Sequence, residues 1–417
     1  MSILWIFIHE IRLFCMLKYK IFYCLLGFYH AWFLSQRHVV IMTVRIQNFF
    51  KDSPHSTPCL VIDLEVIKAK FLEFQQTMPK TKIYYAVKAN PAPEILKLLV
   101  ELGSYFDTAS VQEIKMCFDA GATADKISYG NTIKKERDIA TAYGMGVRLF
   151  AFDSQNELEK LARVAPKSKL MCRILCDCKG AQWPLSRKFG CESDMAQELL
   201  ENAHKLGMIP VGVSFHVGSQ QINLHTWDDA LAGAAKIFHD LAEKNIHLSL
   251  VNMGGGFPAQ YLTVTPDTQD YSDAIDASLR KHFGDNIPDT IIEPGRGLVG
   301  QAGVIQTEVV LISQKSKYDD VRWVYLDIGK FGGLAETMDE AIRYPITTPH
   351  DDDNTAPCII AGPTCDSVDI LYEQNTYPLP VSLEIGDKVY IHATGAYTTT
   401  YASVAFNGFE PLKYYCI

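Results

Sequence analysis

Short apolar runs alternate with amphipathic stretches from Thr81 to about Gly300. The apolar runs are rich in β-branched and aromatic residues, and several amphipathic stretches end at glycine, as helices often do. The strands that this pattern predicts span residues 82–88, 105–109, 126–130, 148–153, 169–175, 210–217, 248–254 and 290–295. Eight strand–helix alternations predict an α/β fold, the (β/α)8 TIM barrel. A doubly wound sheet is the alternative, but it would more often have fewer strands and a phosphate loop after the first.

The pattern changes after Gly300, where apolar strands follow one another without long helices between them. Turn residues separate them at short spacing, which is typical of an all-β, antiparallel domain of sandwich or Greek-key type. Residues 59–64 predict one further strand, and 335–345 predict a short helix. We therefore divide the chain into an N-terminal strand segment associated with the β domain, the barrel, and the C-terminal β domain. Their bounds are 42–64, 65–302 and 303–417.

The first 41 residues differ from the rest of the chain. They are rich in aromatic residues, but charged residues interrupt them, so no run approaches the ~18–20 apolar residues of a spanning helix. No cleavage site of the A-x-A type follows. A weak membrane anchor is one interpretation. We favour a non-native extension from a misplaced translation start, with the working protein beginning at Met42.

Composition narrows the class of partner. The 417 residues carry a formal net charge of −9, which argues against nucleic acid or an anionic membrane surface and suits a small cationic molecule. Eleven cysteines without framework spacing fit reduced thiols in the cytoplasm. Cys172, Cys176 and Cys178 could be metal ligands, but buried thiols alternating along a strand fit better, so we expect no metal.

Polar residues end the predicted barrel strands, where the active site of a TIM barrel lies. They are Lys88, Asp107, Asn131, Asp153, His216 with Ser219, Gly254 to Gly256, and Glu293 with Gly295 and Arg296. A lysine at such a position can hold a carbonyl cofactor as a Schiff base, although alone it would more often be a snorkelling surface lysine. The array as a whole is hard to explain by packing.

The glycines, Glu293 and His216 each have two interpretations. The three glycines let backbone approach a phosphate, or they form a mere loop. A buried Glu293 needs a partner, which would be a protonated ring nitrogen or an internal salt bridge. His216 is either a satisfied core histidine or a flat face for an aromatic cofactor. Arg296 is a fixed cation suited to phosphate.

A series of motifs carries a family resemblance from about Gln47 to the C-terminus. In order they read YYAVKAN, FDTAS, SFHVGSQ, GGGFP, EPGR, GPTCDSVD and GAYTTTYASVAFNGF. The series resembles the barrel-fold (alanine-racemase-like, fold type III) pyridoxal-phosphate decarboxylases of ornithine, lysine, arginine and diaminopimelate. Within that family it is most similar to ornithine decarboxylase of bacterial type.

The resemblance implies pyridoxal 5′-phosphate as cofactor. Lys88 would form the Schiff base, Glu293 would keep the pyridine nitrogen protonated, and His216 would stack on the ring. Asp107 and Glu113 would lie near Lys88. The remaining cofactor contacts would come from Ser219, Gly254, Gly255, Gly256, Pro294, Gly295, Arg296 and Tyr397.

The resemblance also implies how the substrate is held. Cys365 would donate a proton to the substrate α-carbon, and Asp339 and Asp366 would bind its distal ammonium. In this family Cys365 and Asp366 come from the neighbouring subunit, which implies an obligate homodimer with shared sites. The expected reaction is decarboxylation of L-ornithine to putrescine and CO2 in polyamine biosynthesis. Pro184 occupies a place where eukaryotic relatives carry a cation.

Four alternatives stay open. A lysine or dual lysine/ornithine decarboxylase differs by one methylene of substrate. A diaminopimelate decarboxylase would want an arginine in the inserted helix, and Arg343 keeps that option. Asp339 itself is either a ligand of the distal ammonium or a helix-face acid. A barrel-type racemase predicts a cation in place of Glu293. A non-catalytic regulatory homologue should lack Lys88, Cys365 or the phosphate contacts.

Overall fold

The computed structural model describes residues 42–52, 55–183 and 188–417. The interpretations of residues 1–41 and of Pro184 fall outside these described residues. The α-helices are α1 Val44–Asp52, α2 Leu64–Thr77, α3 Pro93–Glu101, α4 Val111–Asp119, α5 Glu136–Gly144, α6 Gln155–Val164, α7 Ser193–Lys205, α8 Thr226–Ala242, α9 Thr268–Phe283 and α10 Arg296–Val299. None of the helices in this part of the chain is long and apolar enough to cross a membrane.

Eighteen strands alternate with or follow the helices in the described ranges. They are β1 Cys59–Ile62, β2 Thr81–Ala86, β3 Tyr105–Thr108, β4 Ile127–Tyr129, β5 Leu149–Phe152, β6 Lys169–Arg173, β7 Ala181–Trp183, β8 Ile209–Ser214, β9 Ser219–Gln221, β10 Leu250–Asn252, β11 Asp289–Ile292, β12 Gly303–Ser313, β13 Arg322–Leu326, β14 Ile346–Thr347, β15 Thr355–Ala361, β16 Ile370–Pro380, β17 Lys388–His392 and β18 Lys413–Cys416.

Eight parallel strands close into a barrel in the order β2-β3-β4-β5-β6-β8-β10-β11. All are short, and all except β6, which ends at the half-buried Arg173, end in buried residues, as strands enclosed on both faces do. The helices between them are amphipathic, and Ile95, Leu99 and Leu161 on their apolar faces are buried against the barrel. The predicted (β/α)8 barrel is therefore confirmed, and its active site belongs at the C-terminal strand ends.

The rest of the chain forms a second sheet. Its strands run β14-β17-β12-β13-β15-β16, and β1 joins it by pairing antiparallel with β12 and parallel with β18. Most pairs are antiparallel, as predicted, but β13 and β15 are parallel. The next strand along the chain, β2, does not join this sheet and pairs with β11 and β3 of the barrel. Strand β1 thus precedes the barrel in sequence and lies in the other sheet.

Asp63 marks the change from sheet to barrel. Its side chain accepts the N–H of Glu65 at 3.1 Å and the hydroxyl of Thr43 at 2.7 Å, so it caps α2. The strand predicted for 59–64 consequently ends at Ile62.

Other local predictions are wrong. The strand predicted for 82–88 ends at Ala86, and Val87–Ala89 form a 3-10 turn. The strand predicted for 290–295 ends at Ile292. Residues 335–345 are not one helix, because the backbone of Met338 and Asp339 is non-helical and Asp339 has φ 51°. Cys176 and Cys178 lie beyond β6 and so do not alternate along it.

Candidate active site

Lys88 lies on the 3-10 turn after β2, where the second sheet holds its backbone. The hydroxyl of Thr400 donates to the carbonyl oxygen of Lys88 at 3.1 Å, and the N–H of Tyr397 donates to that of Ala89 at 2.8 Å. The Lys88 side chain is 47% exposed. Its backbone is therefore fixed while its amine remains accessible.

The amine of Lys88 lies near the carboxylate of Asp107 on β3. The Nζ–Oδ2 distance is 3.9 Å, and Ser128 donates its hydroxyl to the other carboxylate oxygen at 3.0 Å. Loss of hydration raises the pKa of Asp107, although Lys88 and Ser128 oppose that effect. Partial desolvation works against the ammonium of Lys88, but Asp107, Tyr397 and Glu293 raise its pKa overall.

Glu293 follows β11 directly and faces the same region. Asn252, the last residue of β10, donates its side-chain amide to Glu293 Oε1 at 2.5 Å. Burial and then the nearby charge of Asp107 raise the pKa of Glu293 to about 7, against the opposing effects of Lys88, Asn252 and Arg173. A carboxyl group in this state would be stabilised as an anion by a cation placed beside it.

His216 lies two residues past β8 in a neutral form. Its Nδ1 accepts the N–H of Gly218 at 3.0 Å, so the ring proton lies on Nε2. Burial, Arg173 and Lys88 lower the pKa of His216 well below its usual range. A Cβ added at Gly255 would lie 3.1 Å from His216 Nε2. The imidazole is thus available as an uncharged flat face.

The glycine run after β10 is required by close packing of loops. Gly254 has φ 65°, and an added Cβ would lie 2.1 Å from the carbonyl oxygen of Phe215. Gly256 has φ 105°, and its added Cβ would lie 2.7 Å from the carbonyl oxygen of Gly218. Other residues would be strained at both positions, so the backbone here can approach a ligand as only glycine allows.

Ser219, Gly295, Arg296 and Tyr397 gather on the side next to these glycines. Arg296 Nη2 donates to Ser219 Oγ at 3.2 Å, and its guanidinium carbon lies 4.9 Å from the ring centre of Tyr397. A Cβ at Gly295 would lie 3.5 Å from the hydroxyl oxygen of Tyr397. Pro294 contributes the carbonyl that accepts the N–H of Ala86. The predicted phosphate contacts are therefore neighbours.

Sequence reasoning missed a buried acid beside Arg296. Glu336, which is 4% exposed, forms a bidentate ion pair with Arg296, which is 3% exposed; the Nη1–Oε2 distance is 2.7 Å. Arg296 Nη1 also donates to the hydroxyl of Tyr261 at 2.8 Å. Glu336 is in the stretch interpreted as a helix, where nothing signals a partner in the barrel.

Arg173, at the end of β6, was also missed. Its positive charge acts on Asp107, Glu293 and His216, favouring ionised acids and a neutral imidazole. Its guanidinium carbon lies 5.2 Å from the ring centre of Phe189. Its place at the strand end was hidden, because the predicted strand ran on to residue 175 and put Arg173 inside it. Glu113 lies near this group, and its carboxylate accepts the N–H of Ala109 at 2.6 Å.

Cys365 and Asp366 lie on a loop of the second sheet. Cys365 is exposed, and its N–H donates to Asn407 Oδ1 at 3.0 Å. The buried Asp369 shapes this loop by accepting the N–H and hydroxyl of Thr364 and the N–H of Lys330. Among the described residues, Cys365 and Asp366 make no hydrogen bond or ion pair with the barrel.

Arg343, in the segment 335–345, is held by contacts within the second sheet domain. Arg343 Nη1 donates to Glu340 Oε2 at 2.9 Å and to the carbonyl oxygen of Asn375 at 2.7 Å, and the guanidinium lies 4.7 Å from the ring centre of Tyr372. Glu340 in turn accepts the N–H groups at 373–375. Asp339 is exposed. The segment therefore presents an acid and keeps its cation occupied.

The fold and the site define a class of protein. A closed barrel that joins a lysine, a neutral histidine and an acid of raised pKa at its strand ends, beside a run of closely packed glycines, has the features needed to hold pyridoxal 5′-phosphate. Residues 64–300 match the family model described as "Pyridoxal-dependent decarboxylase, pyridoxal binding domain".

Relatives with known functions extend the match to the second sheet. The chain is 33% identical to the lysine/ornithine decarboxylase of Selenomonas ruminantium over 90% of its own length and 91% of that protein. It is 32% identical to antizyme inhibitor 2 of Xenopus laevis over 85% of this chain and 80% of that protein. The chain is also similar to the structure of lysine/ornithine decarboxylase complexed with putrescine from Vibrio vulnificus. That match covers 90% of this chain and 99% of the Vibrio chain, with a TM-score of 0.80 and 28% sequence identity.

The chain belongs to the fold type III pyridoxal-phosphate decarboxylase family. It is a decarboxylase, and its cofactor is pyridoxal 5′-phosphate. The accessible amine of Lys88, the acid at 293 and the crowded glycines fit that cofactor chemically.

Proposed function

We propose that the protein decarboxylates L-ornithine to putrescine and CO2, as a step of polyamine biosynthesis in the cytoplasm. The observation that supports a cationic substrate is that Arg343 already donates hydrogen bonds to Glu340 and to backbone carbonyls. A substrate with a second carboxylate, such as diaminopimelate, would need a cation that this segment does not offer. A substrate with a distal ammonium needs an acid instead. Buried thiols such as Cys59 and Cys117 support the cytoplasmic location.

The residues at the strand ends divide the work of holding the cofactor. Lys88 is the covalent anchor, and Asp107 and Glu113 maintain the charge balance around it. Glu293 would keep the pyridine nitrogen protonated, and neutral His216 would offer its face to the ring. Ser219, Gly256, Gly295, Arg296 and Tyr397 surround the phosphate. When bound, the cofactor supplies a sink for the electrons that remain after CO2 leaves.

The reacting atoms of the substrate then depend on this chain's side chains for two functions. Asp339 and Asp366 bind the distal ammonium and thereby orient the α-carboxylate away from the phosphate. Cys365 would be the proton donor to the α-carbon, and Lys88 would be the amine that holds the cofactor when no substrate is bound. Removing Asp366 leaves a buried ammonium unpaired, which costs on the order of 2–5 kcal/mol of recognition.

We further propose a homodimer in which one subunit supplies Cys365 and Asp366 to the other's barrel. Its support is the exposure of Cys365 together with exposed apolar side chains on the same part of the second sheet, among them Val368 (59%) and Val404 (86%). A cavity of about 400 Å³ lined by Thr364, Phe331 and Phe409 opens beside them. Apolar surface of this kind is usually covered by a partner.

L-Lysine is the second candidate substrate. The Selenomonas ruminantium relative and the Vibrio vulnificus structure are both of lysine/ornithine decarboxylases. One methylene changes binding by only ~1–3 kcal/mol in a pocket of this kind. A preference for ornithine is therefore expected to be quantitative rather than absolute.

Release of labelled CO2 from ornithine, lysine, arginine and diaminopimelate, each at the same concentration, tests the proposal. We expect the highest kcat/KM with ornithine, a value for lysine lower by about 10–200-fold, and background for the other two. The Lys88→Ala variant is the matched control and should release none from any substrate. A higher kcat/KM with lysine would replace ornithine as the substrate, and turnover of diaminopimelate would contradict the role given to Arg343.

A further inference from the structure

The guanidinium of Arg296 has no N–H left unpaired in the structure. Nη1 donates to Glu336 and Tyr261, Nη2 donates to Glu336 and Ser219, and Nε donates to Ser219 at 3.4 Å. An arginine has five N–H donors in a rigid plane, and these contacts account for all of them. A direct contact with a phosphate would require giving one up.

Ser219 receives two of those donors on one oxygen. A serine hydroxyl has two acceptor lone pairs and one O–H donor. Because Arg296 occupies the acceptor side of Ser219 Oγ, the hydroxyl proton must point elsewhere, away from the guanidinium. The hydroxyl is thereby prepared to donate to an anion.

Glu336 determines where the guanidinium lies. Its carboxylate accepts from Nη1 and Nη2 of Arg296, in the bidentate geometry that fixes both position and plane, and Ser219 lies on the adjoining edge formed by Nη2 and Nε. Its own backbone is fixed as well, since its carbonyl oxygen accepts the N–H of Ile342 at 3.0 Å and the following Thr337 donates its hydroxyl to the carbonyl oxygen of Leu334 at 2.7 Å. Both partners are almost fully buried, so water competes little with the pair.

We infer that Glu336 is a positioning residue for the cofactor phosphate: it holds Arg296 so that Arg296 orients the Ser219 hydroxyl toward the phosphate. The inference rests on the phosphate placement proposed above and is independent of which amino acid is the substrate. Glu336 also belongs to the segment that carries Asp339, so the phosphate contacts and the substrate acid are parts of one connected structure.

The test compares two cofactor forms on cofactor-free protein. Dissociation constants for pyridoxal 5′-phosphate and for pyridoxal, which lacks the phosphate, are measured by fluorescence quenching, with borohydride trapping on the Lys88 peptide as a second readout. For Glu336→Gln we expect the constant for the phosphorylated form to rise about tenfold or more, while that for pyridoxal stays within about twofold. The Ser219→Ala change should add little on top of Glu336→Gln, since both remove the same contact.

Glu157→Gln is the matched control. Glu157 is also a buried acid in an ion pair, with Lys134 at 3.0 Å. None of the residues proposed to surround the phosphate contacts it. Both dissociation constants should remain at the wild-type value in this variant. If Glu336→Gln does not fold, Glu336→Asp keeps the charge while shortening the reach, and a loss confined to the phosphorylated form is again expected.

Two results would overturn the inference. Equal weakening of both cofactor forms would assign Glu336 a general structural role, and unchanged or tighter binding of the phosphorylated form would mean that Glu336 merely compensates charge. Equal affinity of the wild-type protein for both forms would instead contradict the phosphate placement proposed above, and the inference with it.

Discussion

At the scale of single residues, the charges around Lys88 compensate one another. Asp107 and Glu293 are acids with raised pKa values, and Lys88 and Arg173 are the cations whose fields oppose that rise. His216 stays neutral because both cations and burial disfavour its protonation. Opposite charges within the site therefore keep its acids and bases in defined forms.

The raised pKa of Glu293 predicts a pH dependence of stability in cofactor-free protein. Its carboxyl has a pKa of about 7 in the folded chain against 4.5 as the ordinary value, so between these pH values the folded state binds more protons than the unfolded state. Folded-state stability must then fall as pH rises from about 4.5 to 7, by roughly 1–3 kcal/mol from this one group.

Urea unfolding of the cofactor-free protein between pH 4.5 and 8 checks this expectation. The Glu293→Gln variant cannot titrate, so its stability relative to wild type should rise across that range and level off above it. Glu136→Gln changes an exposed acid and serves as the control. Parallel pH profiles for wild type and Glu293→Gln would rule out the raised pKa.

At the scale of elements, neighbouring strands set the position of Asp107. Ser128 on β4 donates to its carboxylate, and Gly130 after β4 lies so close that an added Cβ would be 2.0 Å from Asp107 Oδ1. The acid that faces Lys88 is therefore held between β3 and β4.

Gly130→Ala should displace Asp107 and disturb the Lys88 amine. We expect a loss of about 1–3 kcal/mol in the free energy of unfolding, as for other overpacked positions, together with weaker cofactor binding. Gly144→Ala is the matched change, because its added Cβ meets nothing within 4 Å at the end of α5. That variant should be neutral or more stable by up to ~1 kcal/mol. Equal effects of the two variants in chemical denaturation would contradict this account.

The elements were the part of the structure most accessible from sequence. All eight barrel strands follow from apolar periodicity, because burial on both faces demands uninterrupted apolar runs. Periodicity failed at 335–345, where Glu336 and Glu340 are used for contacts with Arg296 and with residues 373–375. Those contacts are distant in sequence, and an acid on a polar stretch gives no sign of them.

The strand ends show the same limit at the active site. Lys88, His216 and Glu293 could be selected because a polar residue after an apolar strand is conspicuous. Ser128 is inside a strand and its role depends on Asp107, so no local pattern reveals it. Arg173 was missed because the strand was predicted to continue to residue 175, two residues beyond its actual end.

At the scale of the whole molecule, the barrel and the second sheet meet around Lys88. Asn90 donates its side-chain amide to the carbonyl oxygen of Gly395 at 2.9 Å, beside the Tyr397–Ala89 and Thr400–Lys88 contacts. The ion pair of Arg296 with Glu336 joins the same two parts. The site is thus built from both rather than from the barrel alone.

The proposed dimer predicts complementation between two inactive variants. Lys88→Ala and Cys365→Ala should each be inactive alone, since one loses the anchor and the other the proton donor. After unfolding and refolding together in equal amounts, half of the dimers are mixed, and each mixed dimer has one intact site if the sites are shared. The mixture should recover about 25% of wild-type CO2 release. No recovery would place Cys365 and Lys88 of one site on the same chain.

The three hydrogen bonds between residues 395–400 and the turn of Lys88 have a consequence for how such a chain can evolve or be engineered. A barrel joined to an unrelated C-terminal domain, or cut upstream of Gly395, would keep its strands. It would lose the hydrogen bonds that hold the backbone at Lys88. Colour from the bound vitamin would fade before the barrel melted, so the two halves can be inherited or exchanged only together.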